Sequence, residues 1–253
     1  MLLKEKLAAQ IPAQKERVNN LLSESGDVVV GDVTIKQVYG GMRGVKGLVT
    51  DISYVDPDEG IRLRGYTIPE LLELLPKTPK ADIPLVGGLY YLLLTGDIPT
   101  LDEALEVENE WKIRASVPPH VFEVLKYMSE QATPMNLFST AIMSLASESI
   151  FARQYNEGMR KDIYWEPMLE DSLNLIAKLP TIAAFIYSLK NHGDPIPAPK
   201  SDLDWSSNFA YMMGIEDPDY QDLSRLYFIV HSDHESGNVS AHATHMVAST
   251  LSD

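Results

Sequence analysis

Apolar residues recur at helical spacing over most of the chain, and that pattern breaks down only near the start. Leu2, Leu3, Leu7, Ile11, Val18, Leu21 and Leu22 fall close to one face of a 3.6-residue repeat, which predicts a helix over 2–23. Pro12 lies inside it and predicts a break or kink there. Residues 27–36 then alternate around Gly31, so Val28-Val29-Val30 and Val33-Thr34-Ile35 predict a small β-hairpin. From Tyr39 to Arg64 the sequence is rich in Gly, Asp and Pro and has no helical period. It reads as an ordered loop region, with short strands at Gly47-Leu48-Val49 and Ile61-Arg62-Leu63.

Helical periodicity returns at Thr67, where Thr67-x-x-Glu70 has the form of a capping box with Ile68 and Pro69 in the first turn. Further helices are predicted over 84–94, ending at Gly96, and over 102–115, with Thr100 as cap. Two more begin at prolines, over 118–128 and 134–147. A long helix over 165–190 should kink near Pro180. After the proline-rich loop 195–199, helices are expected over 205–213 and 219–231, and Asn238 caps a last one through Leu251. The expected fold is mainly α, a single multi-helical domain over 1–253 with a small N-terminal β-hairpin. No repeat, linker or natural boundary interrupts it. The last helix runs almost to Asp253 without a stop signal, which reads as a hint of truncation.

Composition narrows the functional classes. A chain of 253 residues with 45% apolar and 23% charged residues can bury a core. No run of about eighteen uncharged apolar residues occurs, so no membrane span is expected. The opening Met1-Leu2-Leu3-Lys4-Glu5-Lys6 lacks the features of a signal or transit peptide, and a cytoplasmic location is expected. With no cysteine, thiolate catalysis, thiolate metal sites and disulfides are excluded. A net charge of −15 argues against a nucleic-acid partner.

Candidate chemistry gathers in two stretches. His231, His234, His242 and His245 lie within fifteen residues, with Asp233, Glu235 and Gly237 among them. The i,i+3 histidine pairs have a spacing compatible with metal ligation, but His-Glu-x-x-His is absent. An alternative is an anion and proton-handling site: a turn projects a histidine beside the free N–H groups of a helix that starts at Asn238. A purely structural role, with histidines in polar caps, is the third reading. The other stretch, Tyr39-Gly40-Gly41-Met42-Arg43-Gly44-Val45-Lys46-Gly47, combines four glycines with two bases. It could let a backbone and an arginine approach a phosphate, or it is simply a tight turn. Asp56-Pro57-Asp58-Glu59-Gly60 reads as a solvated acidic turn rather than a calcium loop. Arg62 and Arg64 are expected to share one face of a strand and to pair with those acids.

His-Ser-Asp-His-Glu-x-Gly-Asn-Val-Ser-Ala-His at 231–242 resembles the signature of citrate synthases, of the branch found in mitochondria and some bacteria. Tyr-Gly-Gly-Met-Arg-Gly-x-Lys-Gly-Leu at 39–48 is similar to the same family, as are Val-Asp-Pro-Asp-Glu-Gly-Ile-Arg at 55–62 and Arg-Gly-Tyr-x-Ile-Pro-Glu at 64–70. Leu-Leu-x-Thr-Gly-x-Ile-Pro-Thr at 92–100, Ser-Glu-Ser-x-Phe-Ala-Arg at 147–153, Tyr-Trp-Glu at 164–166 and Leu-Ile-Ala-Lys-Leu-Pro at 175–180 continue the match in order.

The resemblance implies an almost all-helical large domain, a homodimer of packed antiparallel helices, and condensation of acetyl-CoA with oxaloacetate to citrate and CoA without a metal or other cofactor. In that chemistry a carboxylate removes a methyl proton, a neutral histidine stabilises the enol oxygen, and the citryl thioester is hydrolysed. By resemblance His234 binds oxaloacetate and Asn238 lines the same pocket. His231 and Ser240 match residues that orient the catalytic histidine. Arg43 matches a base that contacts CoA phosphates. Lys161, beside Arg160, stands at a second such position, where it keeps the charge but not the guanidinium fork. The Gly-Pro-Leu-His-Gly segment with the enol-stabilising histidine, the second oxaloacetate histidine, the catalytic carboxylate and the small domain have no counterpart in the 253 residues. The expectation is a citrate synthase large-domain portion, truncated before the small domain and inactive alone. The alternatives are a helical dimerisation module, a 2-methylcitrate synthase that takes propionyl-CoA, and a histidine-cluster metalloprotein. The expected dimer helices are 134–147 and 238–251.

Overall fold

A computed structural model describes residues 2–42, 44–45, 49–128, 131–191, 193, 195–235 and 239–248. The chain opens with α1 (Leu2–Ser25) and α2 (Ile35–Tyr39), then β1 (Ser53–Asp56), β2 (Gly60–Leu63) and β3 (Tyr66–Thr67). Helices follow: α3 (Ile68–Leu74), α4 (Val86–Thr95), α5 (Leu101–Arg114), α6 (Pro119–Met128), α7 (Pro134–Ser144) and α8 (Ile150–Asn156). The last are α9 (Trp165–Asn191), α10 (Trp205–Met212), α11 (Pro218–Val230) and α12 (Val239–Ala248). The mainly α expectation holds. The residues group into two compact units, one of Met1–Leu74, Leu92–Asp97 and Val230–Ser252, the other chiefly of Leu75–Tyr91 and Ile98–Ile229.

In the first unit the β structure lies later than the valine pattern predicted. Residues 28–34 form no strand; Thr34 instead caps α2, its hydroxyl accepting from Gln37 N while Gln37 reaches back to Thr34 N. A capping box closes its bonds locally, whereas a hairpin whose two faces are both exposed has no apolar surface to bury. Val28, Val29 and Val30 are indeed exposed. The hairpin is β1–β2, with Ser53 opposite Leu63 and Asp56 opposite Gly60. Asp56 Oδ1 accepts from Asp58 N and Glu59 N at 2.8 and 2.9 Å, which builds its turn. The strand predicted at 47–49 falls partly outside the described residues.

Arg62 pairs with Glu59 at 2.5 Å as expected, but Arg64 does not continue that strand. Arg64 and Gly65 have φ of 50° and 88°, both positive, as a two-residue turn between β2 and β3 requires. Its guanidinium donates to Leu93 O at the end of α4 and to Asp51 Oδ1 at 2.8 Å. A charge-assisted bond to helix-terminal carbonyls offsets the strained φ. Asp51 also accepts from Arg17, and that bond first, with Arg64 adding to it, holds its carboxyl below the usual range. The Thr67–Glu70 capping box forms as predicted, with Glu70 accepting from Thr67 N at 2.7 Å.

The second unit is built around α9, against which α5, α7, α8 and α10 pack. Val121 and Leu125 of α6, Leu137 and Ala141 of α7, and Ile182 and Ile186 of α9 form one buried cluster. Each fully buried aliphatic there contributes roughly 1.5–3 kcal/mol of transfer free energy. Long and apolar enough to cross a membrane by composition, α9 nevertheless buries Leu169, Leu173, Ala177, Ile182 and Ile186 within the protein, the last two in this cluster. It runs unbroken through Pro180. Proline cannot donate to Ile176 O, and Trp205 Nε1 donates to that carbonyl instead, at 2.9 Å. Trp205 also packs on Trp111 and Phe228, with centroids 5.4 and 4.7 Å apart.

Two buried polar clusters knit this unit. Glu108 of α5 is 1% exposed and accepts from Gly87 N at 2.9 Å and Trp205 N at 2.8 Å, so one carboxylate meets the N-termini of α4 and α10. Gly87 is needed there: a Cβ would lie 3.0 Å from Ala104 O and from the Glu108 side chain. Burial pushes the Glu108 carboxyl up to about 7, with Asp204 adding repulsion against the two N–H bonds. Arg225, 5% exposed, donates to Asp204, Asp222 and Ser207. Asp222 in turn accepts from Asp82 N and Ile83 N, and Asp204 caps α10. α8, which periodicity did not predict, is capped by Ser149 and by Asp171, which accepts from Ile150 N, Phe151 N and Ser149 Oγ at 2.8–2.9 Å.

Candidate functional site

The histidine-rich stretch belongs to the first unit, where α11 ends, a turn follows, and α12 begins at Val239. That helix start is where Asn238 was expected to cap it, but Asn238 itself lies outside the described residues, as does Arg43. His231 is exposed in the turn directly after α11. His234 is half-buried, and its Nδ1 lies 2.9 Å from Glu235 O. A carbonyl only accepts, so Nδ1 carries the proton, and Nε2 is the atom left to meet a ligand. With Nδ1 so committed, an Nε2–H toward a substrate oxygen requires the imidazolium form. Ser240 is exposed in the first turn of α12, and its carbonyl accepts from Thr244 Oγ1 at 2.9 Å.

Beside them, His245 Nε2 stands 3.7 Å from Asp233 Oδ1, an ion pair when the ring is charged. Asp233 Oδ2, His242 Nδ1 and His245 Nδ1 are buried atoms without hydrogen-bond partners. Among the described residues no group of three or more His, Cys, Asp or Glu is gathered as ligands to one ion.

Lys161 belongs to the second unit, on a 3₁₀ turn over Lys161–Ile163, and is exposed. Its neighbour Arg160 forks Asp162 with bonds of 2.9 and 2.7 Å. The structure therefore brings His231, His234 and Ser240 into one unit and places Lys161 in the other. The Asp233–His245 approach was not anticipated. The i,i+3 spacing of His242 and His245 was visible in the sequence, but Asp233, the acid beside His245, lies before α12 begins, where helical spacing does not reach.

Comparison with known proteins extends this picture. The family model for the citrate synthase C-terminal domain matches residues 41–253. A mitochondrial citrate synthase from Xiphias gladius is 51% identical over 252 residues, covering 99% of this chain and 54% of that protein. A probable mitochondrial citrate synthase from Glossina morsitans morsitans is 47% identical over the same length, again 54% of its own. The crystal structure of citrate synthase from Pyrobaculum aerophilum superposes with a TM-score of 0.72 at 32% identity, over 85% of this chain and 51% of that one. The chain thus spans about half the length of the relatives it matches. Their names also correct the expected cytoplasmic location, because these relatives are called mitochondrial. A targeting segment is a removable address rather than part of the fold, so the composition of the first few residues could not settle the compartment. The match covers the chain from end to end, includes the histidine stretch and agrees with the helical architecture: the chain belongs to the citrate synthase family.

Proposed function

We propose that this chain forms the oxaloacetate- and CoA-contacting part of a citrate synthase, an acyltransferase that condenses acetyl-CoA with oxaloacetate and water. The observation that carries this reading is 51% identity to a citrate synthase over 99% of the chain, running through the histidine stretch. In it His234 and Asn238 hold oxaloacetate. His231 and Ser240 support the histidine that stabilises the enol. Arg43 and Lys161 meet the phosphates of CoA. The bond from His234 Nδ1 to Glu235 O suits its role, since it fixes the ring and leaves Nε2 for a ligand. No metal or further cofactor takes part in this scheme; acetyl-CoA is a substrate. The relatives' names point to the mitochondrion as the compartment.

Catalysis needs a group that removes the methyl proton and one that stabilises the enol, and in this reading neither lies among these 253 residues. Each such group contributes on the order of 10²–10⁴ in rate. The polypeptide alone is therefore expected to make no citrate. Mixing it with acetyl-CoA and oxaloacetate and following thiol release with a chromogenic disulfide tests this. The chain has no cysteine, so all thiol would come from CoA. Oxaloacetate-dependent release would overturn the assignment of missing groups. We further infer a homodimer through α7 and α12, supported by the exposed Met135 and Met143 on the first and Met246 and Val247 on the second.

A further inference from the structure

A cleft of about 230 Å³ opens in the second unit between the end of α5, the middle of α9 and the start of α10. None of the residues assigned above lines it. Pro180 and Trp205 supply apolar wall, Thr181 and Ser201 carry hydroxyls, and Lys112 and Lys200 bring two ammonium groups. The lining holds no carboxylate, in a chain with 36 acidic against 21 basic side chains. Two lysines in one lining that itself carries no carboxylate is the opposite of what that net charge gives by default.

The walls are held in place before any ligand arrives. Asn208 fixes the loop that carries Lys200: its Oδ1 accepts from Lys200 N at 2.7 Å, and its Nδ2 donates to Lys200 O and Leu203 O at 2.9 and 3.1 Å. Lys112 Nζ donates to Ser201 O at 3.1 Å, which steadies the same loop and leaves two of its three N–H donors for a ligand. The indole of Trp205 is locked by its bond to Ile176 O and by its tilted packing on Trp111. Lys200 also reaches Glu216 at 3.0 Å, but these side chains are 40% and 70% exposed, so water and salt screen the pair and an anion can compete for it. A rigid wall with ready donors spares a ligand the ordering cost of binding.

We propose that this cleft binds a small organic anion, its carboxylate or phosphate oxygens on Lys112 and Lys200 and its carbon skeleton against Trp205 and Pro180. The cleft is smaller than the roughly 300–1,000 Å³ of sites for drug-sized ligands, which confines the occupant to metabolite size. The proposal is independent of the citrate synthase reading, and its test does not use citrate formation.

The test is a titration of the 253-residue chain with succinate and, separately, with glycerol 3-phosphate at constant ionic strength, read by calorimetry and by tryptophan emission. Saturable binding of either probe is expected, weakened at least tenfold by Lys112→Met and by Lys200→Met in variants that keep the wild-type circular dichroism. Which probe binds identifies the anion class. Should Lys112→Met fail to fold, the rim variant Lys200→Met decides alone. No saturation of either probe by about 10 mM, the same response to chloride, or binding that folded lysine variants retain in full would overturn the proposal.

Discussion

Glu108 and Arg225 show how much rests on single side chains in the second unit. Glu108 meets two backbone N–H groups with two oxygens, so Glu108→Gln places an amide nitrogen against one donor and leaves it unpaired. That substitution should cost about 1–3 kcal/mol at acid pH. The pH dependence carries a sign. The folded carboxyl is raised to about 7 from its ordinary value of 4.5, so the group's contribution is complete below 4.5 and is lost as pH rises through about 7. The stability advantage of wild type over Glu108→Gln should therefore shrink between these limits, and urea melts of both proteins across that range measure it; a constant difference would refute the assignment. Arg225→Met leaves Asp204 and Asp222 without their cation and should cost about 3–5 kcal/mol in the same assay. Neither residue stood out in the sequence. A glutamate one turn before a lysine on an amphipathic helix reads as a surface pair, and its burial comes from partners at positions 87 and 205, far along the chain.

At the scale of elements, sequence legibility follows where the stabilising bonds close. Thr67 and Glu70, or Thr100 and Glu103, cap a helix within four residues, and both helix starts were predictable. The valines at 28–30 imitated a strand, but the box from Thr34 to Gln37 governs the backbone that follows. Arg64 adopts a left-handed turn because Leu93 O and Asp51 receive its guanidinium, contacts that strand alternation cannot reveal. The start of α8 is the clearest long-range case, since three of its donors are met by Asp171, about twenty residues onward. Asp171→Ala should free those donors and destabilise the protein by about 1–3 kcal/mol. Hydrogen exchange should accelerate first over Ile150–Asn156, and unchanged protection there would count against the cap.

For the molecule as a whole, family and mainly helical architecture were readable because long motifs recur in order from residue 39 to 242. The compartment was not, and the cleft at Lys112 and Lys200 was not, because its lining is drawn from three separate stretches. Light scattering should give twice the 28.2 kDa chain mass if α7 and α12 form the expected interface. Met143→Lys should then shift the particle toward the single-chain mass, and a monomeric wild type would remove the interface proposal. The proposed function centres on the histidine stretch as an oxaloacetate subsite, and the most direct test reads the His234 ring by NMR while oxaloacetate is added to the isolated chain. Saturable shifts centred on His234, absent with acetate and lost in His234→Ala, are the predicted result. Shifts that leave His234 unmoved while oxaloacetate binds elsewhere, or no saturable shift at any concentration reached, would contradict it.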